Sequence, residues 1–296
     1  MSLKHALLAR MPHFVQDRVV LRQLRVDDEA VRDVVIKVAE TSAEHDAAAR
    51  LTFEAYAARN LVDSSGVPVR ATPFLMLPST VRFVALKGHD VVATLALFQE
   101  SQLGLPMGEV FSNELAGLRQ QGRRLAEIGA LAIEKAHRRT GLAMLIYKAM
   151  WQTAVGALGI DDFVVAVHPE AEPMYRAPLR FVRLTDTVRR YKGLQSGALA
   201  CALRLNLTTM KTVWRTDFAR LPADCFNPYR FFYETEHTQI RVPTVPHALA
   251  SYRLAARQAA LRLASLRPEM LMSMQKREFE LLQAELASAT DEMRPQ

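Results

Sequence analysis

Apolar positions along the chain follow two different periods. In LAEIGALAI (125–133) and DFVVAVHPE (162–170) almost every position is apolar. Strands buried on both faces have this pattern. VVIKVAE (34–40), RFVALKG (82–88), VVATLALFQES (91–101) and ALACALRLNL (198–207) are rich in β-branched and large aliphatic residues and predict four more strands. Gly88-His89-Asp90 joins two of them as a hairpin. Elsewhere the spacing is helical. Thr41 and Glu44 form a T-x-x-E capping box, which predicts a helix running to Asn60. Leu51, Ala55 and Ala58 fall on one stripe of it, with Phe53 and Tyr56 beside them. The loop signal DSSGVP (63–68) follows. Val110, Leu115 and Leu118 share a face of a helix over 106–122, closed by Gly122. Residues 142–159 predict a helix ending at Gly159, and 172–184 a short helix and turn.

Strands and helices therefore alternate, which predicts an α/β domain: a mixed sheet flanked by helices, spanning residues 33–207. Residues 1–32 carry no clear pattern and are expected to form a flexible arm. Past residue 208 the character changes. FNPYRFFYETEH (226–237) is aromatic-rich, and two helices are expected over 247–266 and 269–286, divided by Arg267-Pro268. Met272, Phe279, Leu282 and Leu286 form an apolar stripe on the second. This C-terminal helical extension (208–296) is expected to pack on the core; a homodimer contact or a partner contact are the alternatives.

Composition narrows the class. Half of the 296 residues are hydrophobic and 23% are charged, as in a folded globular protein. No apolar run is long enough to span a bilayer. The N-terminal stretch is interrupted by Lys4, His5 and Arg10 and has no small-residue cleavage site, so no signal peptide is expected. Cys201 and Cys225 show neither metal-ligand spacing nor a disulfide framework, so a reducing cytoplasm and no metal are expected. The net charge of +7 suits nucleic acid, an anionic membrane face, or an acidic protein or cofactor. No zinc finger, RNA-binding strand or dense basic block is present. A phosphorylated cofactor or an acidic carrier protein fits better.

Three stretches carry candidate chemistry. The first is HRRTGLAM (137–144), between a buried strand and a helix. A helix start offers unpaired amides and the positive end of a dipole, and nearby arginines add charge. Arg138, Arg139, Thr140, Gly141, Leu142 and Ala143 are thus either a phosphate cradle or an ordinary turn. The second is Glu127, a carboxylate in an otherwise apolar strand. Such a group is costly to desolvate without a partner. It is either paired with Arg123 or Arg124, or a general base whose pKa burial raises. The third is VHPEAEPMYRAPLRF (167–181), where Tyr175 is a packing residue or a proton donor and His168 closes a strand.

Arg138 to Ala143 resembles the [RQ]-x-x-G-x-[GA] signature of GNAT acyltransferases, and the order of elements is similar to that fold. Residues 104–134 and 165–184 resemble the bacterial long-chain N-acyl amino acid synthases, relatives of the acyl-homoserine lactone synthases. The resemblance covers roughly 33–207. It implies acyl transfer from acyl carrier protein or acyl-CoA to the α-amine of an amino acid, with no tightly bound cofactor. It further implies Glu127 near the reacting amine, an amide near Gly129 polarising the thioester carbonyl, Tyr175 protonating the thiolate, and an apolar tunnel for the acyl chain. The autoinducer pattern is incomplete. Arg50, Phe53 and Tyr56 are present, but Trp151 and Trp214 lie elsewhere, and the paired aspartates that hold S-adenosylmethionine are missing. A homoserine lactone product is therefore disfavoured. A short-chain acetyltransferase and a non-catalytic acyl-binding module are the competing expectations. Arg253, Arg257 and Arg262 are either a carrier-docking face or a solvated helix face.

Overall fold

The computed structural model describes residues 11–63, 66–191 and 197–291. The start of the expected arm, residues 1–10, lies outside them. An eight-stranded mixed sheet forms the centre. Its strands are β1 (Val34–Val38), β2 (Val81–Lys87), β3 (Asp90–Gln99), β4 (Leu125–Ile133), β5 (Asp162–Val167), β6 (Val182–Arg183), β7 (Arg189–Arg190) and β8 (Leu199–Asn206). Their spatial order is β1-β2-β3-β4-β5-β8-β6, with β7 also paired to β8. All pairings are antiparallel except β4 with β5.

Helices cover both faces. The first is α1 (His13–Gln23), followed by α2 (Ser42–Ala57) and α3 (Gly108–Gln120). Then come α4 (Leu142–Gly156), α5 (Glu172–Leu179), α6 (Leu207–Asp217), α7 (Ala250–Leu266) and α8 (Lys276–Asp291). The capping box opens α2 as its sequence requires. Glu44 N–H donates to Thr41 Oγ1 at 3.2 Å, and the Thr41 amide donates back to the Glu44 carboxylate. The face bearing Ala126, Ile128 and Phe163 packs on α4, whose Leu145, Ile146 and Ala149 are fully buried. The opposite face, bearing Phe98, Leu125 and Val164, packs on Phe111, Leu115 and Leu118 of α3.

Within the expected arm, His13–Gln23 and Asp28–Val31 are helical. Asp17 of α1 pairs with Arg176 of α5 and with Arg180, the residue that follows that helix, at 3.0 and 3.1 Å, and Val20 and Leu21 are buried. Residues 207–241 are part of the main core. Trp214, Phe218, Phe231 and Phe232 join the cluster under α4. Lys148, buried in α4, donates to Phe231 O at 2.7 Å and to Thr235 O. Ile240 forms a parallel bridge with Ile36 on the sheet edge. The apolar stripe of α8 faces inward at Leu282, which packs with Met76, Leu77 and Ala260, whereas Met272 is 83% exposed. Arg257 and Arg262 are engaged within the chain: Arg257 donates to Leu286 O at 2.9 Å, and Arg262 pairs with Asp46 at 2.5 Å.

Candidate active site

β4 and β5 pair only at Leu125 with Asp162, Ala126 with Phe163 and Glu127 with Val164. Beyond that row β4 continues to Ile133 and β5 to Val167 without pairing, so the strands diverge into a wedge. A buried ionic clamp holds its closed end. Asp162, with no exposed surface, accepts from Arg123 Nε at 2.5 Å and from Arg204 Nε at 2.9 Å. Arg123 also reaches Asn206 Oδ1 at 2.9 Å. On the other side of β4 the register with β3 slips. Thr94 faces Ala132 and Ala96 faces Gly129, so Ala130 and Leu131 together oppose Leu95. This is a β-bulge, and Ala130 takes φ +49° there. A left-handed alanine costs about 1–2 kcal/mol, which the surrounding pairing must overcome. Gly129 beside it has its own constraint, since a Cβ there would lie 2.7 Å from the Phe98 ring.

Glu127 is the last paired residue of the closed end, and it is 5% exposed. Its Oε2 accepts from the Met107 amide at 2.7 Å, just ahead of α3. The ion pair expected with Arg123 or Arg124 is not formed. Arg123 is held by Asp162, and Arg124 faces Asp161 at 3.6 Å, because these carboxylates sit at the strand start where the arginine side chains emerge. With no cation paired with it among the described residues, burial pushes the Glu127 carboxyl up to about 8, against the Met107 amide, which favours the charged form.

Four phenols gather around the wedge. Tyr56 at the end of α2 and Tyr191 after β7 are both pushed up by burial, and the Glu127 charge adds to the rise. A backbone hydrogen bond from Ala130 opposes it at Tyr56. Tyr175 of α5 accepts from Tyr147 Oη at 2.9 Å, which leaves its own proton available, and burial keeps it neutral. The Glu127 charge acts on Tyr56 and Tyr191, and Tyr56 in turn acts on Tyr175 and Tyr191. The Arg70 guanidinium stacks over the Tyr56 ring at 5.4 Å. Among the described residues no carboxylate lies within salt-bridge distance of it. Sequence reading missed Arg70, Tyr191 and the bulge at Ala130. The sole signal for Arg70 was one arginine in a Pro-bounded loop, VPVRATP (67–73).

β4 leads directly into the expected phosphate loop. Residues Lys135–His137 form a 3-10 turn, Arg138 Nε donates to Ile133 O at 3.0 Å, and Arg139 takes φ +67°. Thr140 Oγ1 donates to His137 O at 2.8 Å. Gly141 caps α4 at φ +86° without any side-chain cap, so the first amides of α4 have no side-chain acceptor. Neither Arg138 nor Arg139 forms a salt bridge among the described residues. The space a Cβ would need at Gly141 is filled by Arg25 O and Val26 Cα, both 2.6 Å away, and Asp27 N donates to Thr140 O at 2.9 Å. The glycine therefore answers to the N-terminal segment packed against it. Leu142 is buried and Ala143 half-buried. His168 is exposed, and its Nδ1 accepts from Glu170 N at 3.3 Å, which makes it the cap of the next turn.

Among the described residues no group of three or more His, Cys, Asp or Glu is arranged to hold a metal, and no helix is long and apolar enough to cross a membrane.

A mixed sheet whose parallel central strands splay apart, with a bulge on one and a glycine-started helix after it, is the arrangement of the GNAT fold. The family described as N-acyl amino acid synthase FeeM matches residues 47–206. The chain belongs to that family and is an enzyme of the N-acyltransferase class. The structure of FeeM, an N-acyl amino acid synthase from uncultured soil microbes, is 24% identical with a TM-score of 0.54, covering 60% of this chain and 93% of that one. The acyl-homoserine lactone synthase LasI is 17% identical with a TM-score of 0.44, covering 59% and 89%. The CoA-dependent acyl-homoserine lactone synthase BjaI is 14% identical with a TM-score of 0.48, covering 75% and 99%. No curated protein sequence matches the chain significantly.

Proposed function

We propose that the protein moves a long-chain acyl group from a phosphopantetheine thioester, carried by acyl carrier protein or by CoA in the cytoplasm, to the α-amine of an amino acid. The observation that carries this reading is Glu127: a buried carboxylate with no cationic partner among the described residues, at the point where β4 and β5 part. Such a group takes a proton near neutral pH.

The carrier's phosphate rests on the first amides of α4, with Arg138, Arg139 and Thr140 to Ala143 around it, and its pantetheine arm lies in the wedge. The thioester carbonyl points at the bulge, where an amide near Gly129 and Ala130 polarises it; such a donor contributes about 2.7–4 kcal/mol in related chemistry. The acceptor's α-carboxylate meets Arg70, the half-buried guanidinium that has no ion-pair partner among the described residues. Glu127 takes a proton from the ammonium, and the free amine attacks the carbonyl carbon. The C–S bond then breaks, and Tyr175 gives its proton to the departing thiolate. The nitrogen, now bonded to the carbonyl carbon, sheds a second proton as the amide forms; that proton restores Tyr175 through solvent, and Glu127 returns the first to bulk water. No acyl-enzyme forms, because a thioester is already activated.

The full chain, incubated with long-chain acyl carrier protein, long-chain acyl-CoA or acetyl-CoA and a mixture of amino acids, is expected to give long-chain N-acyl amino acids by mass spectrometry. Glu127→Gln is expected to slow the reaction by about 10²–10⁴-fold. No amide from any donor, or a variant indistinguishable from wild type, would sink the reading. Amides from acetyl-CoA alone would replace it with a short-chain acetyltransferase.

A further inference from the structure

The C-terminal helices lie beyond the part of the chain that the family matches, which ends at residue 206. They nevertheless touch the loop that carries Arg70. Leu263 of α7 is buried with Ala49 of α2 and Val69 in one cluster, and Ala71 and Leu266 pack against it. The Arg70 amide donates to Ala49 O at 3.0 Å, which fixes the other side of the loop to α2. At the end of α7, Arg267 spreads its fork over the loop backbone. Nη1 donates to Val69 O at 3.0 Å and to Val67 O at 3.4 Å, while Nε is held by Glu269. Arg70 is thus clasped on both sides by groups that fix its backbone.

Arg70 and Arg267 face the same cleft of about 210 Å³, with Phe53, Leu61, Val62 and the acidic Asp63 also lining it. Among the described residues Asp63 forms no ion pair with either arginine, and it has interactions of its own. The two guanidiniums differ in one respect. Glu269 offsets the charge of Arg267, whereas no carboxylate pairs with Arg70 among the described residues. A half-buried cation over an aromatic ring, held in place by its backbone, is arranged for an anion that arrives with the substrate.

We propose that the C-terminal extension is a working part of the acceptor site: Arg267 is a positioning residue that holds the 67–70 loop, and through it Arg70, for the carboxylate of the amino acid acceptor. This rests on the reading of the protein as an N-acyl amino acid synthase. The extension then governs recognition of the acceptor and leaves the thioester side of the wedge alone. An acceptor without a free carboxylate, such as an amino acid methyl ester, gains nothing from the clasp.

The test compares the full-length wild type, Arg267→Ala and Arg267→Lys with an amino acid and its methyl ester as acceptors, with KM measured separately for acceptor and thioester. Arg267→Ala is expected to raise KM for the free amino acid by about tenfold or more, the scale of one charge-assisted hydrogen bond. The preference for acid over ester falls by the same factor, and KM for the thioester stays within about twofold. Arg267→Lys recovers part of the preference, because an ammonium can hold one carbonyl but lacks the fork. Equal losses on acid and ester, a change in thioester KM alone, or wild-type kinetics in both variants overturns the inference. If Arg267→Ala does not fold, Arg267→Lys decides by the same acid-to-ester ratio. A wild type that makes no N-acyl amino acid with any donor overturns the underlying reading instead, and that result is seen before any variant is compared.

Discussion

Glu127 has the two properties that the proposed general base needs: burial, and no cation paired with it among the described residues. With its pKa raised to about 8, the carboxyl is protonated through most of the neutral range. The rate of acyl transfer is therefore expected to rise with pH and level off above about 8, and Glu127→Gln should remove that limb from the kcat/KM profile. The same shift acts on stability. From 4.5 to about 8 the folded chain keeps a proton that the unfolded chain has released, so folding loses stability as pH rises through that window. Urea unfolding of Glu127→Gln should show this decline reduced, by on the order of a few kcal/mol between its two ends. At this scale Glu127 was legible, because a lone carboxylate in an apolar run breaks the pattern. Arg70 and Tyr191 were not, since arginines and tyrosines outside any periodic element carry no local signal.

Among the elements, the wedge depends on its clamp. Asp162 lies between Arg123 and Arg204 with no exposed surface, and it ties β4, β5 and β8 together where they pair. Asp162→Asn leaves two guanidiniums without their buried counter-ion. Its expected cost is about 3–5 kcal/mol, read as a lower urea midpoint at unchanged slope. The elements themselves followed their local codes: the capping box of α2, the β2–β3 hairpin and the all-apolar runs of β4 and β5. β5 stops at Val167, short of the predicted 170, because Pro169 follows and His168 caps the next turn. The bulge had no such code. It arises from a register slip against β3, and the backbone strain at Ala130 is paid across the sheet rather than within the strand.

In the whole molecule, the chain after β8 returns over α4 and closes the main core. Lys148 is the hinge of that closure, a buried ammonium donating to two carbonyls of the 230–235 turn. Lys148→Met is expected to leave those acceptors unpaired and to lower stability by about 1–3 kcal/mol, measured by calorimetry, with no change in acceptor or thioester KM. By itself the sequence determined the order of strands and helices, the caps, the central buried strand with its carboxylate and the arginine-rich turn before α4. Each of these is written in near neighbours through periodicity and backbone chemistry. Only the tertiary structure decided which residues share the site. The divergence of β4 and β5, the approach of Tyr56 and Tyr191 to Glu127, and the grip of Arg267 on the Arg70 loop join positions tens to hundreds of residues apart. Hydrophobic burial brings such positions together without regard to their spacing in the chain, so no local pattern records them.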